Sequence, residues 1–332
     1  ILFIFILIFS FFILIFQKKL SLYILHTIDY QSVFVWFAIF LLLFNFNALF
    51  LAILNGKKEI LKFVLANIAG SFFSLIITTI LAIKYNLYGA LVSLSIYQSL
   101  AFFVTLILCY KSDWFKFSYI FGSINKEVAK KFLAFATMAL ASSICIPISQ
   151  MLIRLYLVEE FGLNYAGYWE AMIRLSAAYL MLVTTTLGVY YLPRLSELNS
   201  ISLIKTEIFK GYKFIFPIAA IAGFIIYILR DFIVILLFDK SFLPMRELFF
   251  WQMIGDSLKI GSWILAYLML SKAMTKLFVC TEIIFSASSV FLTYIFTQVF
   301  GFEGVSIAHA VNYGTYWIVM SLFIFRLLKK EG

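Results

Sequence analysis

The sequence predicts an all-α polytopic membrane protein. Of its 332 residues, 64% are hydrophobic and only 13% charged, where a soluble domain is about half apolar and a quarter charged. Apolar runs of about 18–28 residues recur along the whole chain, long enough as helices to cross a hydrocarbon core of roughly 30 Å. The short alternating segments of a membrane β-barrel do not occur in the sequence.

Ten spans follow in order. The first, 1–16, opens on Ile1 with no basic segment before it and so does not read as a signal peptide. It closes at Lys18 and Lys19. The second, 31–54, ends at the basic turn Asn55 to Lys58. The third and fourth, 61–83 and 87–110, are parted by Lys84 and Asn86 and closed by Lys111. A polar stretch leads to the fifth, 132–157, which holds Pro147 and ends before Glu159 and Glu160. The sixth, 164–192, stops at Pro193. The seventh, 209–229, holds Pro217 and ends at Arg230. The eighth, 248–270, ends before Lys272. The ninth and tenth, 277–299 and 303–326, are parted by Gly301. A proline inside a span frees a backbone carbonyl and allows a bend.

The net charge is +10. Nucleic acid is not needed to explain it, because Lys and Arg accumulate in cytoplasmic loops of membrane proteins. Seventeen of the 26 Lys and Arg fall in connections on one side, six on the other, and Arg154, Arg174 and Lys259 lie inside spans. That bias assigns the richer side, and the C-terminus, to the cytoplasm. Cys109, Cys145 and Cys280 lie in or beside apolar runs without CxxC spacing and read as packing residues.

An internal repeat organises the chain. "NGKKEILKFVLANIAG…KYNLYGALVSL" from Asn55 parallels "SKAMTKLFVCTEIIFS…QVFGFEGVSIA" from Ser271. In both, a basic turn opens a long helix, and a short loop then reaches a glycine that opens the next: Gly89 and Gly304, 215 residues apart. The offset implies two parallel lobes of six helices, twelve in full. On that reading about ten helices are present, and two more, in roughly 80 residues, are expected before Ile1. The domains are then an incomplete N-terminal lobe at 1–115, a cytoplasmic linker at 116–131 and a six-helix C-terminal lobe at 132–332.

The informative residues are charges inside spans, where one costs about 2.5–3.5 kcal/mol on insertion scales. Glu170 and Arg174 sit at i, i+4 and share a helix face. At about 1.5 Å per residue, Arg174 lies near mid-membrane. Asp256 and Lys259 repeat the device at i, i+3. Arg154 lies near the outer end of its span, and Glu282 about one turn inside the cytoplasmic end of its own. The pairs can serve as neutralised helix–helix contacts, and Arg154 and Glu282 can snorkel. The alternative is a cationic, water-filled pathway for an anionic substrate, with Asp256, Glu170 or Glu282 binding a coupling ion. Asn45, Asn47, Asn67, Gln98, Gln150, His309 and Asn312 each read as an interhelical hydrogen bond. His26 falls in an outer loop, and neither histidine has metal-spaced partners. No catalytic, nucleotide-binding or cofactor motif occurs.

"GYWEAMIRLSAAYLMLVTTTLGVYYLPRLSEL" (from Gly167), "GDSLKIGSWILAYLMLSKAMTKLFVCTEIIFS" (from Gly255) and "GFEGVSIAHAVNY" (from Gly301) resemble the O-antigen and lipid III flippases of the Wzx type. These form a polysaccharide-transporter branch of the superfamily that includes the multidrug and toxin exporters. The resemblance covers about 35–325 and is strongest over 160–310. It implies a two-lobe transporter in the bacterial inner membrane, moving an undecaprenyl-diphosphate-linked oligosaccharide to the periplasmic leaflet without a cofactor. Its implied partners are that lipid, the surrounding membrane lipids, a glycan polymerase and a chain-length regulator. Arg174, Lys259, Arg154 and Glu170 are then the expected substrate contacts. Three alternatives stand: a multidrug or cation exporter, which would favour lone acidic residues; a glycan polymerase or ligase, which would need a long outer loop; and a structural scaffold, which leaves the intramembrane charges unexplained.

Overall fold

The computed structural model describes residues 2–25, 27–116 and 125–330; His26 falls outside them. The chain divides into two compact units, Ile1–Asn125 and Lys126–Gly332. Of the stretch expected as a linker, 117–124 lie outside the described residues and 126–131 are already helical.

The first unit holds α1 (Leu2–Leu25), α2 (Gln31–Gly56) and α3 (Ile60–Tyr110). α1 runs nine residues beyond its expected end and carries Lys18 and Lys19 on its last turns. Lysine is a good helix former, and its stem can lie along apolar surface while its head reaches water. α3 has 51 residues, about 75 Å if straight and over twice a hydrocarbon core. It breaks at Asn86, where φ is 52° and ψ −135°, and the two halves fold back antiparallel. Residues from opposite ends meet: Lys62 Nζ donates to Ser112 Oγ at 2.6 Å, and the Trp114 indole N–H donates to the Glu59 carboxylate. Midway, a Cβ on Gly70 would lie 3.3 Å from the Ala101 Cβ. The Lys62 ammonium, 2.6 Å from Glu59, holds that carboxyl below the usual carboxylate range.

Polar side chains join α2 to α3. Thr105 Oγ1 donates to Asn47 Oδ1 at 2.7 Å, and Ser99 Oγ to the Phe40 carbonyl at 2.9 Å. Asn45 and Asn67 depart from expectation. Each donates to a carbonyl four residues back in its own helix, at 2.8 Å.

The second unit contains α4 (Lys126–Phe161), α5 (Leu163–Thr186), a π turn (Leu187–Tyr191), α6 (Leu192–Glu197), α7 (Ile201–Ile228), α8 (Arg230–Leu237), a 3-10 segment (Lys240–Leu248), α9 (Phe249–Ser271), α10 (Thr275–Phe300), a 3-10 turn (Gly301–Glu303) and α11 (Gly304–Lys330). The sixth span is continuous in the sequence reading, but the structure widens it at the π turn. Pro193 follows at once, and a proline ring clashes with the carbonyl four residues back unless the turn opens. α7 starts eight residues early. Its first turns are too polar to read as a span, yet Ile204, Glu207 and Ile208 recur at helical spacing and are buried. Arg194 and Lys210 reach the Glu207 carboxylate at 3.9 and 3.8 Å.

The 215-residue repeat is visible in the backbone. Lys58 and Ala273 both adopt positive φ, at 59° and 52°. Around them the same bonds recur: Lys58 N–H to Asn55 O and Glu59 N–H to Leu54 O, against Ala273 N–H to Leu270 O and Met274 N–H to Met269 O. Each set forms a left-handed helix cap that satisfies the last carbonyls. At the other end of each hairpin, Asn86 (52°, −135°) corresponds to Gly301 (63°, −147°). A Cβ on Gly89 would meet Leu81 O at 1.8 Å, and one on Gly304 would meet Phe296 O at 2.2 Å. Both glycines therefore let the returning helix touch the backbone of the outgoing one.

Eight helical runs among the described residues are long and apolar enough to cross a membrane. Two of them, Ile60–Tyr110 and Thr275–Lys329, double back at Asn86 and Gly301, which accounts for ten passes. The outward faces carry large apolar side chains such as Ile218, Phe224 and Leu236, each about two-thirds exposed. Such faces are costly in water and suited to lipid.

Candidate functional site: charges and a cavity within the second unit

The first group of charges joins α4 to α5. Arg174 Nε donates to Glu170 Oε1 at 3.0 Å, the expected i, i+4 contact. Arg154 on α4 donates to the other carboxylate oxygen. Arg154, expected either to snorkel or to contact substrate, shares one acid with Arg174. One carboxylate between two guanidiniums leaves a net positive charge. The Arg174 side chain is 76% exposed, with Glu170 half-hidden beside it.

The second group centres on Asp256 of α9, and here the structure corrects the sequence. Asp256 was expected to pair with Lys259. Its nearest ring partner is His309 of α11, whose Nε2 lies in hydrogen-bond contact with Oδ1 at 2.9 Å. Tyr179 of α5 donates its hydroxyl to Oδ2 at 2.6 Å. Gln252, one turn earlier on α9, donates to Oδ1 and to Ser176 Oγ, both at 3.2 Å. Asp256 is 1% exposed, so this acid is enclosed and its lone pairs are occupied, as a buried carboxylate requires. Local packing explains the partner. A Cβ at Gly255 would lie 2.3 Å from His309 Cδ2 and 3.0 Å from Ala310 Cα. Only glycine allows α9 and α11 to approach so closely, and that approach delivers the imidazole to the carboxylate. Tyr179, Gln252 and His309 were missed as carboxylate ligands. Their signals were weak: a glycine beside the acid, a Gln at i−4, and one histidine inside a span.

Lys259 lies elsewhere. Its ammonium sits 5.2 Å from the Trp263 ring centre and 4.9 Å from that of Tyr313, close enough for cation–π attraction. No carboxylate of the described residues lies within 4.0 Å of it. Lys259, Glu282, His309 and Asn312 line a cavity of about 470 Å³ whose walls come from α4, α5, α9, α10 and α11. Every lining residue belongs to the second unit. Asp256 is not on its wall, but Gln252 and His309, which both contact it, are. Asn312 Nδ2 donates to the Phe285 carbonyl at 3.2 Å, while its buried Oδ1 has no partner.

No family model matches the chain. It is 30% identical over 255 residues to the lipid III flippase of Escherichia coli (strain K12), and equally to that of Shigella flexneri. The matched region is 77% of this chain and spans 61% of the length of those relatives. Among solved structures, the Vibrio cholerae MATE transporter VcmN in the bent form superposes with a TM-score of 0.84 at 13% identity, covering 99% of this chain and 77% of that one. A multidrug resistance MATE family transporter in an outward-facing conformation gives 0.81 at 16% identity, covering 99% and 78%. At such identities these likenesses establish the fold alone. The protein is an all-α, multi-pass membrane protein.

Proposed function

From a chain related to the lipid III flippases and folded as the MATE transporters, we propose a flippase for an undecaprenyl-diphosphate-linked oligosaccharide, an O-antigen or enterobacterial-common-antigen repeat unit. It acts in the bacterial inner membrane with its C-terminus in the cytoplasm, handing the glycan to a polymerase and chain-length regulator. The observation that carries this reading is the Arg154–Glu170–Arg174 group: net positive, with Arg174 largely exposed on a helix whose sequence expects that residue near mid-membrane. A guanidinium that exposed at that depth is costly against lipid tails, so its side of α5 faces water. Its planar fork suits a diphosphate, and its hydrogen bonds there are charge-assisted. Glu170 orients both arginines and lowers their cost in the membrane.

In the intact protein, Arg174→Ala abolishes glycan display at unchanged protein level. Arg174→Lys restores only part of it, because the bidentate fork is lost. Full display by the Ala variant overturns the reading. Export of a small cation is the second reading, favoured by the MATE fold and by Glu282 on the cavity wall. Lys259, on the same wall without a carboxylate in contact, weighs against it.

A further inference from the structure

Beside the polar cavity lies a second, almost wholly apolar groove of about 350 Å³, between α4 and α10. Ile153, Tyr156, Val290, Phe291 and Tyr294 form it. The two spaces share Ile153 and Thr293, which are 8% and 3% exposed and act as a sill between them. A polar chamber and an apolar groove with a common wall, both inside membrane helices, match one kind of occupant: an amphiphile with a compact head and a hydrocarbon chain.

The chamber's chemistry defines the head. Lys259 offers a positive charge set between the Trp263 and Tyr313 rings, with no carboxylate of the described residues within 4.0 Å, and an ammonium without a contact ion pair in a membrane interior is stabilised by an incoming anion. Asn312 Oδ1 is a buried acceptor lacking a donor, and Glu282 is a second acceptor on the wall. Trp263 and Tyr313 present flat apolar faces. An anionic phosphate for Lys259, hydroxyl donors for Asn312 and Glu282, and an apolar ring face for the aromatics together describe a sugar phosphate. We infer that the second unit binds the glycosyl-phosphate end of a lipid-linked sugar in this cavity, with the lipid chain lying in the α4–α10 groove across the Ile153–Thr293 sill. This rests on the flippase reading and adds to it a holding site within one unit, separate from Arg174.

The probe is farnesyl phosphoglucose, with binding to the intact protein counted by native mass spectrometry. One equivalent binds the wild type. Glucose 1-phosphate, lacking the chain, and farnesyl phosphate, lacking the sugar, bind at least tenfold more weakly. Lys259→Met and Ile153→Trp each weaken the probe at least tenfold, whereas Lys259→Arg and Ile153→Leu retain it and show that the fold survives substitution there. Equal binding by Lys259→Met and Ile153→Trp overturns the inference. So does phosphatidylethanolamine binding as tightly as the probe, which would make the site one for ordinary phospholipid. The same variants are assayed for flipping in proteoliposomes. Wild-type flipping with unaltered variants removes the site and leaves the function; probe binding without wild-type flipping does the reverse.

Discussion

Glu170 is the hinge of its charge group because it alone answers two guanidiniums on two helices. Replacing it by Gln keeps the shape but removes the charge both arginines lean on. Hydrogen bonds to charged groups contribute about 1.5–3 kcal/mol, so Glu170→Gln lowers stability in detergent by about that amount, read as an earlier thermal transition. An unchanged transition would show that Arg154 and Arg174 are satisfied by water. Half of this group was legible in advance. The Glu170–Arg174 spacing fixes a shared helix face whatever the tertiary structure. Arg154 was not legible, since no local rule says which face of α4 meets α5. Asp256 shows how local spacing misleads: Lys259 is near in sequence, but the α9–α11 contact at Gly255 brings His309 nearer in space.

At the scale of elements, the hairpin turns tell which copy of the repeat is more comfortable. Asn86 and Gly301 share a backbone conformation that is nearly exclusive to glycine, and a side chain there costs of order 1–3 kcal/mol. The second copy meets the requirement with Gly301; the first pays for a Cβ. Asn86→Gly therefore raises the stability of the protein by roughly 1 kcal/mol, after the entropy that glycine forfeits, and Gly301→Asn lowers it by a similar amount. Thermal unfolding of both variants in detergent checks this, and a loss on Asn86→Gly would contradict the assigned backbone. The repeat itself was readable from Gly89 and Gly304, because a close backbone return leaves a glycine in the sequence. The early start of α7, the helix α8 and the π turn were not readable. The first turns of α7 and the π turn depend on amphipathic packing and on relief of the Pro193 clash, which leave no apolar run, and the apolar run at 232–238 is too short to read as a span.

For the whole molecule, the fold class was plain from composition and run length, since hydrocarbon admits few alternatives to helices. The energy source is a different matter, because it depends on which titratable group meets the pathway. On the proposed flippase reading, an ion gradient is one source of energy that a titratable group in this unit can tap, because each ligand shifts the states by its differential affinity. We propose that Asp256, expected to bind the coupling ion, acts through the residues around it. It is enclosed by Tyr179 of α5, Gln252 of its own helix and His309 of α11, and of these Gln252 and His309 reach the cavity wall. Histidine is the side chain that exchanges a proton between about pH 5 and 8, and His309 stands on the cavity wall with Lys259. Protonating His309 adds a second cation to the cavity near Lys259 and strengthens its hold on an anionic head; losing the proton weakens it. Each ligand thus shifts the other's affinity by the same factor. In proteoliposomes, flipping by the intact wild type then responds to an imposed pH gradient and not to a sodium gradient. His309→Gln and Asp256→Asn both lose that response, while His309→Gln keeps residual flipping down a substrate gradient. A wild type indifferent to pH, or a His309→Gln variant that follows the gradient as the wild type does, would take the coupling role away from this pair.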